Sequence, residues 1–178
     1  MTSAAERELT LPDGIRDEHV RPSNGLRRHA SPLSLVVFGS VIALGLTGLL
    51  GHERDWRAEA NGASLGVHAP EITRNGEFLE MRVEVETDEP IGELVIGVES
   101  ALWEDLTVNT MIPAPTGEES ADGEFRLTFA GLEPGTPFLL KIDLQVNPDI
   151  LGGSDGTVAV YDGDQRLVET PISITVLP

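Results

Sequence analysis

Four histidines, 30 Asp and Glu residues and no cysteine set the chemistry open to this chain. Without cysteine there is no disulfide, thiolate metal site, iron–sulfur cluster or thiol nucleophile. The histidines are His19, His29, His52 and His68, and no two stand at ligand spacing. A zinc site needs several converging donors, so His68, beside an alternating run, reads as a strand-edge residue. No order of serine, histidine and aspartate marks a nucleophilic triad. Gly152-Gly153-Ser154-Asp155-Gly156 is glycine-rich, but an anion site also needs a following helix, and none is expected there. It reads as a turn.

The carboxylates raise two further possibilities. Asp149, Asp155, Asp162 and Asp164 fall in the last two loops, and Glu118, Glu119 and Asp122 in another. Calcium takes about six to eight clustered oxygens, yet the Asp-x-Asp-x-Asp-Gly order is missing. Asp162-Gly163 is also a preferred hairpin dipeptide. Turn chemistry therefore accounts for these acids, with calcium as the rival. A pair for glycoside hydrolysis needs a cleft, and nothing singles out two acids. The expectation is a protein that is not an enzyme, with no catalytic residue, metal or cofactor.

Charge narrows the partners. Twelve basic residues against 30 acidic ones give a net charge of −18. Phosphate neutralisation needs a basic surface, so no nucleic-acid partner is expected. Residues 1–30 are neutral in sum, whereas residues 52–178 hold seven basic and 25 acidic side chains. Arginine far outnumbers lysine, which suits a bacterial genome of high GC content. Hydrophobic residues make up 40% and aromatic residues 4%, so aliphatic side chains must fill any core.

The chain divides into four parts. Residues 1–30 lack periodicity and read as a disordered cytoplasmic tail. Ser31 to Gly51 form an apolar run of 21 residues within 22 uncharged ones. As a helix it spans roughly 32 Å, about one hydrocarbon core, which predicts a single transmembrane helix in contact with membrane lipid. Four arginines precede it closely (Arg16, Arg21, Arg27 and Arg28) and two follow (Arg54 and Arg57). That bias places the N-terminus in the cytoplasm and the C-terminal domain outside, in the cell (inner) membrane of a bacterium. A cleaved signal is the main rival, but its apolar core is usually about 7–15 residues. Gly39, Ala43, Thr47 and Gly51 recur every four residues, a small-residue face for helix packing against a membrane protein or a second copy. Residues 52–63 read as a linker, in which Trp56 suits either the membrane interface or the base of the domain.

From Ser64 to residue 178 the period is two. Leu79, Met81, Val83 and Val85 alternate with Glu80, Arg82, Glu84 and Glu86, which predicts a half-buried strand. Further strands are expected at Leu65–Val67, Leu94–Val98, Val108–Ile112, Phe125–Phe129, Leu140–Val146, Val158–Val160 and Ile172–Val176. Ala101 to Leu106 has room for one helical turn. About eight short strands with turns between them predict an all-β, antiparallel, immunoglobulin-like β-sandwich.

The segment FRLTFAGLEPGTPFLLKIDLQV, Phe125 to Val146, resembles the E-to-F corner of fibronectin type III domains. Leu132, Pro134 and Gly135 match the turn, and Phe138 stands where that family has tyrosine. The resemblance implies a sandwich topology. Residues 64–178 also resemble uncharacterised bacterial single-pass membrane proteins, through Thr107-Val108-Asn109-Thr110 with Pro113-Ala114-Pro115, then Asn147-Pro148, then Tyr161-Asp162-Gly163. That resemblance implies an envelope protein.

The functional expectation is a non-catalytic, membrane-anchored extracytoplasmic interaction or accessory module of a bacterial envelope complex. The alternative is an adhesive module binding wall glycan or calcium, for which Trp103 and Tyr161 are the available aromatic platforms.

Overall fold

The computed structural model describes Arg16 and residues 25–48, 51–148 and 152–177, with backbone alone for 25–31. The remaining tail residues, Leu49, Leu50 and Asp149 lie outside the described residues. The chain forms two compact units, residues 1–47 and 48–178.

The first unit contains helix α1 (Gly25–Leu46), with Pro32 inside it. It begins six residues earlier than the expected span and ends before Gly51. The end has a local cause: Gly48 adopts a positive φ of 73°, the left-handed conformation that closes helices. Among the described residues, no helix is long and apolar enough to cross a membrane. The apolar run that lies inside α1, Ser31 to Leu46, measures only about 24 Å at 1.5 Å per residue.

The second unit is a two-sheet sandwich. Its strands are β1 (Glu53–Ala60), β2 (Ala63–Pro70), β3 (Ile72–Arg74), β4 (Phe78–Thr87), β5 (Ile91–Glu99), β6 (Leu106–Ile112), β7 (Gly117–Ala121), β8 (Glu124–Leu132), β9 (Phe138–Val146), β10 (Ser154–Asp162) and β11 (Gln165–Leu177). A short helix, α2 (Ser100–Trp103), joins β5 to β6. One sheet runs β1-β2-β4-β9-β6 and the other β3-β11-β10-β5-β8-β7. All pairs are antiparallel except β3 with β11.

Alternation builds the core. Leu79, Met81, Val83 and Val85 on β4 are buried, as are Leu140, Ile142, Leu144 and Val146 on β9. Each pair, such as Met81 opposite Ile142, faces the second sheet. Burying one such side chain is worth about 1.5–3 kcal/mol. As the low aromatic content requires, the core is mostly aliphatic, with Trp56, Trp103 and Phe129 as its aromatic members.

Three strands depart from the sequence reading. Residues 52–63 are not a linker: β1 pairs with β2 along its whole length, from Glu53 opposite Pro70 to Ala60 opposite Ala63. Trp56 is 8% exposed and belongs to the core. β1 escapes the periodicity because Trp56 is its one buried side chain. β7 has no large apolar residue, and β3 is three residues long. The expected helical turn is present as α2. The corner after β8 carries the chain from one sheet to the other, with Leu132 buried and Gly135 at φ 70°. Phe138 there packs on Phe129, ring centroids 4.9 Å apart.

Candidate interaction site

On one side of the sandwich the sheets end at β6 and β7, and a groove of about 670 Å³ opens between them. Its floor is set by α2. Ser154 Oγ lies 3.0 and 2.8 Å from the carbonyl oxygens of Ala101 and Leu102 and donates between them. Gly156 permits that approach, since a Cβ there would stand 2.7 Å from Leu102 Cβ and 3.1 Å from its backbone nitrogen. The helix so held delivers Trp103, which stacks on Phe125 with centroids 5.8 Å apart and planes at 29°.

The groove lining includes core-facing residues that are covered only in part. Phe125 stands opposite Val98 on the inner side of β8, yet is 37% exposed. Val108 and Met111, opposite Leu144 and Ile142, are only half-buried. Glu118 stands opposite Leu127 and so points to the same inner side, but it is exposed. Among the described residues Glu118 has no ion pair, and no lysine or arginine lines the groove. The indole N–H of Trp103 is buried and finds no acceptor among the described residues. The two flanking edges, β6 and β7, each keep one row of backbone groups unpaired within their sheets.

Two polar clusters sit elsewhere. On the outer side of the six-stranded sheet, Tyr161 is 2% exposed and donates to Glu124 Oε2 at 2.7 Å. Arg166 Nε donates to its oxygen at 3.0 Å and Arg166 Nη2 to Glu124 Oε1 at 3.1 Å. Arg126 and Arg166 stand 4.8 and 5.3 Å from the ring centroid. Burial, with Glu124 beside it, pushes the phenol pKa up, so Tyr161 stays neutral. On the five-stranded sheet, His68 lies between carboxylates of β1: Nδ1 is 2.5 Å from Asp55 Oδ1 and Nε2 2.6 Å from Glu53 Oε2. The bond to Asp55, then that to Glu53, raises the imidazole pKa, and the bond from His68 lowers that of Asp55. Protonated His68 thus donates from both nitrogens and ties β2 to β1.

These positions correct several expectations. Trp103 and Tyr161 cannot serve as open sugar platforms, because 7% and 2% exposure leaves no free ring face. Asp162 Oδ1 accepts from the N–H groups of Gly92 and Glu93 at 2.9 and 3.1 Å, as a loop tie. Asp164 faces Arg126 at 3.4 Å. Glu118 and Glu119 belong to β7, and Asp122 to the turn after it. Among the described residues no three His, Asp or Glu are grouped to hold a metal ion. Of the small-residue face, Gly39 and Ala43 lie on α1, and Thr47 and Gly51 follow its last residue, Leu46. The Thr47 hydroxyl donates to Leu44 O at 2.6 Å.

Sequence reasoning missed the groove. Phe125 and Met111 read as ordinary strand positions, and Glu118 as a loop acid. The signal that was present, an apolar strand ending at Pro113-Ala114-Pro115, marks where β6 stops without saying what covers it.

No protein-family model matches the chain, and no curated protein matches it. Solved structures with partial likeness include CaCohA2 from Clostridium acetobutylicum, at 16% identity and TM-score 0.40, covering 58% of this chain and 84% of that one. A non-cellulosomal cohesin from the archaeon Archaeoglobus fulgidus gives 12% and 0.39, over 59% and 84%. A complex of CaDoc0917 with CaCohA2 gives 14% and 0.39, over 59% and 93%. The class of this protein, a two-sheet β-sandwich domain, rests on its own sheets and core. These three likenesses single out neither the fibronectin type III family nor single-pass membrane proteins.

Proposed function

We propose that this protein is a non-catalytic interaction module, held at the outer face of a bacterial cell membrane by its N-terminal segment. The groove between β6 and β7 carries the reading. Core-facing side chains of a sandwich are normally covered by the opposite sheet, and here Phe125 is exposed and Val108 and Met111 are covered only in part. Exposed apolar surface rimmed by polar residues marks docking sites. Anchoring is supported by the 22 uncharged residues from Ala30 to Gly51. The described part of α1 also exposes Leu33, Leu35, Val36, Val37, Phe38 and Val41. A helix apolar on all sides calls for apolar surroundings on all sides. Gly39 and Ala43 then offer a close approach to a neighbouring membrane helix.

A photo-crosslinking side chain at Met111 in the full-length chain, expressed in cells, tests the module. The expected result is one discrete adduct that the same group at Glu84, outward on β4, does not give. No adduct at Met111, or the same adducts at both positions, overturns the reading. Protease added to intact spheroplasts should remove the domain, and protection there with digestion after lysis reverses the topology. For the helix face, Gly39→Leu and Ala43→Leu should weaken association in membranes, whereas Leu46→Ile should not.

A further inference from the structure

We infer that the occupant of the β6–β7 groove is an extended, basic segment of another protein, with apolar side chains on Phe125 and Met111 and a lysine or arginine against Glu118. The inference rests on the reading of this domain as an interaction module and names its partner's chemistry.

Three observations converge. The groove is flanked by two strands with unpaired edges, which suit a chain in extended conformation. Its floor is the stacked pair Trp103 and Phe125, of which Phe125 is exposed and offers the apolar contact. Its rim carries Glu118, on the core-facing side of β7, with Glu119 next to it. Glu119 has Arg126 at 4.0 Å, but Glu118 has no cation. A carboxylate beside the exposed Phe125 ring suits a cationic side chain, through charge and through cation–π contact.

The same charges argue against other occupants. Residues 52–178 hold seven basic and 25 acidic residues, so a second copy brings like charge to the rim. An acidic segment meets the same repulsion. The edges are also guarded against random pairing: β7 is five residues long, and β6 has a bulge between Val108 and Thr110. Selection of a partner therefore falls to the side chains in the groove.

The test uses the full-length chain in detergent and three capped, labelled eight-residue peptides: alternating arginine and valine, alternating glutamate and valine, and arginine alternating with glycine and serine. Fluorescence anisotropy reads binding. The first peptide should bind and the second should not; the third, lacking apolar side chains, should bind more weakly. Glu118→Gln should weaken the first peptide about tenfold, the scale of a partly desolvated charge pair. Phe125→Ala should weaken it similarly, and Glu84→Gln should have little effect.

Equal losses from Glu118→Gln and Glu84→Gln, or equal binding of the first and third peptides, would reduce the effect to general acidity and overturn the inference. Tighter self-association of Glu118→Gln with unchanged peptide binding would make Glu118 only an edge guard, and would also overturn it. If no peptide binds while Met111 still gives its discrete adduct, the partner chemistry fails and the module stands. If both fail, the module falls as well.

Discussion

The two sides of the sandwich are built from the same alternation and end differently. On the β1 side the core is sealed by Trp56, 8% exposed, beneath a shallow hollow of about 570 Å³. The Arg54 guanidinium stands 5.5 Å from the Trp56 ring centroid. Arg54 pairs with Glu71, and His68 bridges to Glu53 and Asp55. On the β6–β7 side, core-facing residues are covered only in part, and the inward acid Glu118 has no ion pair among the described residues. A sheet face has to be covered by something. Where the chain supplies the cover, the residues serve stability; where it does not, they are available for binding.

Substitutions should separate the two sides. The largest effect is expected at the sealed edge: Trp56→Ala should lower stability by about 3–5 kcal/mol, read from denaturant unfolding followed by circular dichroism. A loss under about 1 kcal/mol there would mean that β1 is not part of the cooperative unit. Next comes the joint that aims Trp103. Gly156→Val should cost about 1–3 kcal/mol by overpacking and also alter tryptophan emission, as α2 is displaced from β10. Unchanged stability and emission would show that α2 is free to shift. Phe125→Ala, on the open side, should cost only about 1 kcal/mol, because a large part of the ring already meets solvent. A loss as large as that of Trp56→Ala would mean that the groove is closed in solution.

The smallest effect is a pH dependence confined to the sealed edge. His68 is raised from its ordinary 6.5 by the carboxylates of Asp55 and Glu53, which β1 presents, while Arg82 on β4 opposes the charge. Its contribution is complete below about pH 6.5 and is lost as pH rises through the folded pKa. Asp55 is lowered from 3.8 by His68; its contribution is present above that ordinary value and is lost as pH falls through the folded one. The bridge is therefore strongest between those two ordinary values. Melting temperature should drop as pH rises from about 6.5 to the folded His68 pKa and level off above it, and His68→Gln should flatten that drop. An identical slope in the variant would show that the bridge does not hold β1.

Much of the sandwich was legible because burial on one face writes a period of two into the sequence. Leu79 to Val85 and Leu140 to Val146 carry it plainly, since each inward residue there is a large aliphatic. β1 was hidden because only Trp56 of its eight residues is buried, and a single aromatic has no period. β7, Gly-Glu-Glu-Ser-Ala, was hidden because its inner positions carry Glu118 and Ser120. The candidate site fell in that gap. Trp103 and Phe125 were visible as aromatics, but their stacking joins α2 to β8 across 22 residues of chain.

The sequence alone determined the balance of acids over bases, the absence of thiol chemistry, the aliphatic core and the alternating strands, because composition and local period act through neighbouring residues. Tertiary structure alone decided which edges meet. It placed Trp56 in the core and left Phe125 uncovered, although both are aromatic residues on strands. It also turned Glu118 toward a groove without a cation and set His68 between two carboxylates of another strand. These are pairings of distant segments, fixed by sheet order and register, and no short window of sequence contains both members of such a pair.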